Sequence, residues 1–401
     1  MYTNDEEKEL NKILEILTEN LDISESQYNM AVSSYEAVGR YLSEPPSPLA
    51  KYSPTIKPQG SFMLGTITKP IIEQDDIDID LVCELSGKDL RWTQYDVKQI
   101  VGNRLKNHDI YFGMLKPEGR RCWTLKYSES ANYHMDILPS IIDENYKKNL
   151  LKLSSSYISD ASLDPLAIRI TDKKTANYMT EILTFNWLKT NPFGFAIWFF
   201  NKATLSLQEQ VRLFSNSVKN VPEYQKTKLP LQRAIQILKR HRDMMFNGDD
   251  EKPTSIIITT LAAKAYKKET NLISALKNII DNMDSYIEER NGQKIIVNPV
   301  NLEENFADKW VNYPKRKENF YKWLYKLKKD FSDIKLQKGL HNISNSMKPM
   351  FGEQVVTKTF STLSSQAYEE RISGNQKMSI KSGILGSTGS IINKPHNFHG
   401  N

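Results

Sequence analysis

Residues 60 to 85 read GSFMLGTITKPIIEQDDIDIDLVCEL, and their pattern indicates the kind of fold. A Gly-Ser pair opens this stretch, and four aspartates then fall within six residues at the start of a run that is otherwise suited to a buried β-strand. Because alternate residues of an extended strand share a face, Asp76, Asp78 and Asp80 project to one side and the apolar residues between them to the other. The strand is therefore predicted to have one apolar face and one anionic face.

The clustered aspartates predict a metal site. Carboxylates so close together are costly unless a cation or hydrogen bonds neutralise them. Another carboxylate, Asp136, lies in the strand-like run YHMDILPSI and would approach from an adjacent strand. Oxygen ligands favour Mg²⁺ over zinc, so we predict that Asp78, Asp80 and Asp136 hold two Mg²⁺ ions, for which Mn²⁺ is an alternative. Asp76 with Asp78 is the alternative pair; otherwise Asp76, like Asp75, would belong to a solvated turn.

The residues before the aspartates predict a phosphate-binding element. Gly60 permits a close approach of the backbone, and Ser61 offers a hydroxyl and an N–H group at the expected start of a short helix. Two metal ions lower the pKa of an attacking hydroxyl, hold it in line with a phosphorus atom and neutralise the departing pyrophosphate. The order of Gly-Ser, then Asp-x-Asp on a strand, then a distant strand aspartate indicates nucleotidyl transfer.

The composition sets the broad class of protein. The chain has 401 residues, 39% of them hydrophobic, which is ordinary for a packed globular protein. Its formal net charge of +6 suits a nucleotide or a nucleic acid as partner and does not choose between them. No segment approaches the roughly 20 apolar residues of a membrane span, and the start MYTNDEEKELNK is unlike a signal peptide. With Cys83 and Cys122 as the only cysteines, we expect a cytoplasmic protein with no membrane association and no cysteine-rich zinc site.

Hydrophobic periodicity predicts an α+β core that is followed by a helical lobe. Helical spacing runs from about 5 to 43 and again over 89–107, and the strand candidates 121–127 and 132–141 would form a hairpin through SESA. Beyond about residue 185 helical patterns dominate. We therefore predict a catalytic core with its N-terminal helices at 1–185, a helical lobe at 186–373, and a flexible tail rich in Gly, Ser and Asn at 374–401.

The lysine-rich run KRKENFYKWLYKLKKDF at 315–331 has two interpretations. Basic residues among aromatics are typical of a nucleic-acid surface. However, Phe320, Trp323, Leu324, Leu327 and Phe331 fall on one helical face, which favours an amphipathic helix with solvated lysines. We prefer the second interpretation and expect that the protein does not require nucleic acid.

The motifs Gly-Ser, Asp-Ile-Asp and His-Met-Asp-Ile-Leu resemble those of the DNA polymerase β-like nucleotidyltransferase superfamily. With helices before Gly-Ser and a helical lobe after the sheet, the chain is similar to the bacterial cGAS/DncV-like nucleotidyltransferases of CBASS anti-phage operons, and the runs AIRITDKKTANY (167–178) and NPFGFAIWFF (191–200) add to the resemblance. The resemblance implies an α+β fold with a mixed sheet, a long N-terminal helix and a helical second lobe, with the active site in the cleft between them. It also implies a template-independent synthase that joins nucleoside triphosphates into a cyclic oligonucleotide, expected to be a dinucleotide, which acts on a separate effector.

Two further positions are carried over from the family. The resemblance implies that Lys239 in QILKRHRD and Ser255 in KPTSIIITTLA contact the donor triphosphate. The sequence around them is compatible, because Lys239 is expected at the boundary of a buried helical face and Pro253 marks a helix start whose N–H groups favour phosphate. Without the resemblance, the same residues would be an ordinary solvated lysine and a helix-capping serine.

The tail and the reaction each leave an alternative open. The ending NKPHNFHGN resembles tails that an operon-encoded E1–E2-like enzyme conjugates through a terminal glycine, but Asn401 follows Gly400, so trimming would have to come first. For the reaction, the alternatives are a linear nucleotidyltransferase, of the oligoadenylate type or adding a nucleotide to RNA, protein or a small molecule, and a nucleotide sensor without activity. Retention of all three acidic positions argues against the sensor.

Overall fold

The computed structural model describes residues 4–72, 76–127, 133–142, 145–155, 163–219, 222–378, 380, 385–386 and 390–392. Its contacts divide the chain into two compact units. The mixed unit comprises Ile23–Leu229 and Val297–Asn305, and the helical unit lies within Met1–Asp22, Pro230–Ile296 and Phe306–Asn401.

The helices of both units are numbered along the chain. They are α1 Asn4–Leu21, α2 Glu25–Ser43, α3 Gly60–Met63, α4 Gln94–Lys106, α5 Asp109–Met114, α6 Tyr146–Ser155, α7 Pro192–Ala203, α8 Leu207–Ser217, α9 Pro230–Phe246, α10 Ser255–Ala265, α11 Leu272–Asn282, α12 Pro314–Ile334, α13 Leu340–Phe351 and α14 Glu353–Ile372.

The strands are numbered in the same way. They are β1 Thr55–Pro58, β2 Ile77–Leu85, β3 Trp123–Lys126, β4 Tyr133–Ile141, β5 Ile168–Ile170, β6 Leu188–Thr190, β7 Glu288–Arg290, β8 Gln293–Ile295, β9 Val297–Asn298, β10 Asn301–Asn305, β11 Lys377–Met378, β12 Leu385–Gly386 and β13 Ile391–Ile392.

The mixed unit is built on one sheet in the order β1-β2-β4-β5-β6, with β3 paired to β4 as well. β2 and β4 run parallel along their whole length, and the other pairs of this sheet are antiparallel. β3 pairs with residues 134–137 of β4, and β5 pairs with residues 140–141 of the same strand. The predicted hairpin of β3 and β4 is therefore present, although its connecting SESA residues lie outside the described residues.

The alternation predicted for β2 is present in the structure. Ile77, Ile79 and Leu81 are at most 5% exposed and belong to the core of the mixed unit. Asp78 between them is exposed, and Asp80 is partly exposed. The strand thus buries its apolar face and leaves its carboxylates accessible, as a two-residue period requires.

Helix α4 covers this sheet and holds β3 in place. It begins at Gln94, later than predicted, because Thr93 caps it and the Asp96 carboxylate accepts a hydrogen bond from the Thr93 N–H group at 2.8 Å. Gly102 of α4 lies against the Trp123 ring, since a Cβ on this glycine would be 2.1 Å from a ring atom. The indole N–H of Trp123 donates to the Lys98 carbonyl at 2.9 Å, which fixes the start of β3.

The helical run predicted near the N-terminus is two helices. Helix α1 ends at Leu21, and Ser24 begins α2 through a capping box with Gln27. Helix α1 contacts α9, α11 and α14, so it belongs to the helical unit, whereas α2 packs on β1 in the mixed unit.

The boundary predicted at 185–186 also differs from the one that the contacts give. The segment up to Leu229 lies in the mixed unit, because α7 buries Phe193, Phe199 and Phe200 there and contacts α8. In the tail, where composition predicts a flexible segment, the described residues form a small antiparallel sheet of β12, β11 and β13.

Within the helical unit, α12 packs as an amphipathic helix. Phe320, Trp323, Leu324 and Leu327 are at most 3% exposed, and most lysines of the helix are exposed. Phe331 is half-buried and contacts the Phe351 ring. The amphipathic interpretation of the lysine-rich run is therefore confirmed. None of the described helices has the length and apolar character that crossing a membrane requires.

Candidate active site

The parallel pairing of β2 and β4 brings three aspartates together. In its register Asp80 lies opposite Asp136, and Asp78 lies opposite His134. Asp78, Asp80 and Asp136 each offer a carboxylate oxygen, and these three oxygens lie within 4.8 Å of one another. The Asp78 side chain is 61% exposed, so the group opens to solvent. Three converging carboxylates repel one another, and their oxygens are the ligands that hard divalent cations prefer.

The donor set of this acidic triad, meaning Asp78, Asp80 and Asp136, suits Mg²⁺ or Mn²⁺. All three ligand groups are carboxylates, which favours these ions over zinc. The neighbouring Cys122 does not change this chemistry: burial, with smaller effects of Asp136 and Asp80, raises the pKa of its thiol to about 12. Among the described residues, Cys122 is not one of those whose ligand atoms converge in the triad.

Gly60 lies directly against the triad. Its φ is +57°, a left-handed conformation that favours glycine, and a Cβ at this position would be 2.8 Å from Oδ2 of Asp80. The Gln59 N–H group donates to the Asp80 carbonyl at 2.9 Å, which extends the pairing of β1 and β2 up to this point. The Gly-Ser pair thus begins α3 beside the second aspartate of Asp-x-Asp, and Ser61 follows in the first turn of that helix.

Asp76 stands outside the triad. Its carboxylate is 3.1 Å from the Lys126 ammonium group and 3.9 Å from Nδ1 of His134. In the alternative pair of Asp76 and Asp78, the Asp76 carboxylate therefore already has the Lys126 ammonium group as its counter-charge. Asp75, predicted to be a turn residue, lies outside the described residues.

Two residues of the site were missed from the sequence. The Thr124 hydroxyl donates to Oδ1 of Asp136 at 2.5 Å, and Nε2 of His134 lies 3.2 Å from Oδ1 of Asp78. The hydrogen bond with Asp78 raises the pKa of His134 above its usual value, against the opposing effect of burial. The sequence could have indicated His134, because it precedes Asp136 by two residues and so lies on the same face of the strand.

Two neighbouring arginines, Arg120 and Arg121, share one carboxylate partner. Nε of Arg120 and Nε of Arg121 each donate to the Asp172 carboxylate at 2.7 Å. Asp172 is fully buried, while both guanidinium groups remain about two-fifths exposed, at 40% and 44%. One buried carboxylate therefore holds two neighbouring cations at the entrance to β3.

Lys239 and Ser255 lie in the helical unit. Lys239 is 5% exposed, so the boundary position expected for it is wrong. It is buried because α9 is covered by α10, α11 and α13, which leaves few of its faces in solvent. Ser255 is the first residue of α10, as predicted, and its hydroxyl accepts a hydrogen bond from Arg242 at 2.9 Å.

Comparisons with known proteins agree on one family. The family described as "Cyclic GMP-AMP synthase DncV-like, nucleotidyltransferase domain" matches residues 54–139, which include the Gly-Ser pair and all three triad aspartates. A c-di-GMP synthase of Roseivirga ehrenbergii is 30% identical over 403 residues, covering 98% of this chain and 96% of the relative. The cyclic dinucleotide synthase CdnG of Bradyrhizobium diazoefficiens is 24% identical over 408 residues, covering 96% of this chain and 88% of the relative.

Solved structures share the fold. Bradyrhizobium diazoefficiens CdnG in complex with GTP aligns with a TM-score of 0.64 at 20% identity, covering 89% of this chain and 99% of that one. Vibrio cholerae DncV cyclic AMP-GMP synthase in complex with nonhydrolyzable GTP aligns with a TM-score of 0.51 at 15% identity, covering 88% and 92%. The predicted α+β nucleotidyltransferase fold with a mixed sheet is therefore confirmed.

Proposed function

This chain belongs to the family of DncV-like nucleotidyltransferases, and from that premise we propose that it is an enzyme that joins two nucleoside triphosphates into a cyclic dinucleotide with release of pyrophosphate. The observation that carries the proposal is the acidic triad, in which three carboxylate oxygens from two parallel strands lie within 4.8 Å of one another. The relatives that cover nearly the whole chain are both named as cyclic dinucleotide synthases. A linear nucleotidyltransferase remains the alternative, since the triad serves a single transfer equally well.

We propose GTP as the substrate for both positions of the product. The relative from Roseivirga ehrenbergii, 30% identical over almost the full length of both chains, is named a c-di-GMP synthase. The structure of Bradyrhizobium diazoefficiens CdnG was solved with GTP. Base choice depends on side chains around the nucleobases, so the product analysis below includes the other nucleotides.

The proposed roles of the site residues follow from their positions. Asp78, Asp80 and Asp136 would hold two Mg²⁺ ions, because their oxygens converge at one exposed end of the strand pair. When bound, such ions lower the pKa of an attacking hydroxyl and neutralise the charge of the leaving pyrophosphate. Gly60 would let the backbone at the start of α3 approach the nucleotide that those ions bind, and Ser61 would donate to its phosphates.

Lys239 and Ser255 are proposed to contact the donor triphosphate. Ser255 begins α10, and the N–H groups at a helix start favour anions. Its hydroxyl accepts from Arg242 and keeps its own proton to donate to a phosphate oxygen. The proposal has less support for Lys239 than for Ser255, because the Lys239 side chain is buried and its ammonium group would have to reach the triphosphate from a buried position on α9.

The biological setting is proposed from the family alone. We propose that the product acts on a separate effector in anti-phage defence of the CBASS type. Conjugation of the tail by an E1–E2-like enzyme would require removal of Asn401 to leave Gly400 as the terminus. Both residues lie outside the described residues. Intact-mass measurement of the protein coexpressed with its operon neighbours tests this: an adduct at Gly400 would support it, and an unchanged mass would refute it.

Product analysis tests the proposed reaction. The purified protein is incubated with Mg²⁺ and GTP, with ATP, with each pair of nucleotides and with all four, then treated with phosphatase and examined by mass spectrometry. We expect GTP alone to give a phosphatase-resistant cyclic dinucleotide, because a closed ring has no terminal phosphate. A cyclic product that appears only in mixtures would overturn the choice of GTP for both positions. Linear products would support the alternative transferase, and the absence of product with Mg²⁺, and with Mn²⁺ in its place, would favour a nucleotide sensor.

A further inference from the structure

We propose that Thr124 is a positioning residue of the acidic triad, which fixes the carboxylate of Asp136 through its hydroxyl so that the carboxylate can bind the divalent cation. The inference rests on the proposed function, because it assigns a role within the same site. The observation is the hydrogen bond from the Thr124 hydroxyl to Oδ1 of Asp136, at 2.5 Å. Distances this short are typical of a hydroxyl that donates to an ionised carboxylate.

The strand register makes this contact a fixed one. Thr124 lies directly opposite Asp136 in the antiparallel pair of β3 and β4. Directly opposite residues point to the same face of a sheet, with Cβ atoms about 5 Å apart. The contact therefore follows from the backbone pairing and does not depend on a long, adaptable side chain.

The backbone of Thr124 is itself held on both sides. Trp123 and Leu125, its neighbours, are at most 1% exposed. The Thr124 carbonyl accepts a hydrogen bond from the Lys116 N–H group at 2.9 Å. The hydroxyl is thus presented to Asp136 from a rigid element, as precise positioning of a ligand group requires.

The chemistry of the pair explains why a hydroxyl is needed at this position. A carboxylate has two oxygens, and a donor on Oδ1 of Asp136 restricts rotation of the group about its Cβ–Cγ bond. Thr124 is partly exposed on the same sheet face as the triad, where valine would satisfy the strand geometry equally well but would not donate. The proton stays on the threonine oxygen, so the role is orientation and not proton transfer.

Residues that hydrogen-bond to a metal ligand affect metal affinity measurably. Replacement of a residue that hydrogen-bonds to a metal ligand typically costs about 10-fold to 100-fold in metal affinity or activity. The matched pair of variants is Thr124→Val, which keeps the shape and removes the hydroxyl, and Thr124→Ser, which keeps the hydroxyl and removes a methyl group. A packing role and a positioning role predict opposite rankings for these two variants.

The test measures Mn²⁺ binding to the nucleotide-free protein by electron paramagnetic resonance of the free ion. We expect Thr124→Val to raise the Mn²⁺ dissociation constant by about 10-fold or more, and Thr124→Ser to stay near the wild type. Wild-type affinity in Thr124→Val, or equal impairment in both variants, would overturn the proposal. If Thr124→Val does not fold, as judged by circular dichroism, Thr124→Ser decides: wild-type affinity supports the role of the hydroxyl, and weakened affinity contradicts it.

A second readout separates this inference from the proposed function. In assays with saturating metal, Thr124→Val should recover most of its rate, whereas at limiting Mg²⁺ its rate should fall by about the same factor as its Mn²⁺ affinity. If the wild type makes no cyclic product, the proposed function fails while the binding measurement still tests Thr124. If cyclic product forms and the binding of the two variants is unchanged, only the role of Thr124 fails.

Discussion

The backbone of Gly60 lies so close to Asp80 that a Cβ atom added to the glycine would be 2.8 Å from Oδ2 of the aspartate. The glycine is also in the left-handed region, at φ +57°. The contact couples the phosphate-binding element to the acidic triad, because any side chain at residue 60 would displace either the carboxylate or the start of α3.

Gly60→Ala should therefore impair catalysis more than folding. The displaced Asp80 carboxylate would lose its alignment with the other triad members, and we expect kcat/KM to fall by about 10-fold to 100-fold. The left-handed backbone adds a destabilisation of about 1–2 kcal/mol. The measurement is steady-state kinetics alongside urea unfolding.

The matched control for that variant is Gly87→Ala. Gly87 also has a positive φ, of +132°, but a Cβ there would meet nothing within 4 Å. It should lose stability through backbone strain while kcat/KM stays near the wild-type value. Equal losses of kcat/KM in both variants would show that strain, and not the contact with Asp80, explains the effect.

Gly102→Ala should destabilise the mixed unit. Its methyl group would lie 2.1 Å from the Trp123 ring, which is 1% exposed and cannot move into solvent. Overpacking of this kind costs about 1–3 kcal/mol of unfolding free energy. Gly113→Ala is the control, because a Cβ there meets nothing within 4 Å and alanine favours helix. Urea unfolding that gives the same stability for Gly102→Ala as for the wild type would contradict the close packing.

The Asp172 carboxylate should stabilise the protein at neutral pH and lose this effect in acid. Burial alone would raise its pKa, but hydrogen bonds from Arg120, the Lys174 N–H group and Arg121 outweigh burial and lower the pKa below its usual 3.8. A depressed pKa means that the stabilisation is complete above the unfolded-state value and is lost as the pH falls through the folded-state value. We expect Asp172→Asn to cost about 1–3 kcal/mol at neutral pH.

The difference in unfolding free energy between Asp172→Asn and the wild type should shrink as the pH falls below about 4, because the wild-type carboxylate becomes protonated. Urea unfolding at a series of pH values measures it. Asp281→Asn serves as the surface control, because the Asp281 side chain and that of its partner Lys277 are both more than half exposed, at 53% and 63% respectively. A difference for Asp172→Asn that does not change with pH would show that the ion pairs with the two arginines do not stabilise the fold.

The sequence predicted those features that depend on local periodicity. The two-residue period of β2 placed Asp78 and Asp80 on one face and Ile77 and Ile79 on the other, and the structure has them so. The helical period likewise separated the buried face of α12 from its lysines. Such patterns are readable because neighbours in sequence determine them.

Features that depend on pairing between distant segments were not predictable in detail. The register that sets Asp80 opposite Asp136, and Thr124 opposite Asp136, is fixed by strands far apart in the chain. The burial of Lys239 depends on how many helices surround α9, and the apolar face of one helix does not reveal that number. The assignment of α1 to the helical unit has the same cause, because its partners α11 and α14 lie far away in sequence.

The role of the acidic triad in catalysis is measured by comparing Asp80→Asn with Asp76→Asn for formation of phosphatase-resistant cyclic dinucleotide from GTP and Mg²⁺. Asp80 belongs to the triad, whereas Asp76 directly precedes β2 and pairs with Lys126 at 3.1 Å. We predict that Asp80→Asn lowers the rate by about a thousandfold, because a ligand of the catalytic ions is lost, and that Asp76→Asn stays within about tenfold of the wild type. An Asp80→Asn variant that makes the cyclic product at the wild-type rate would show that the triad does not bind the catalytic ions.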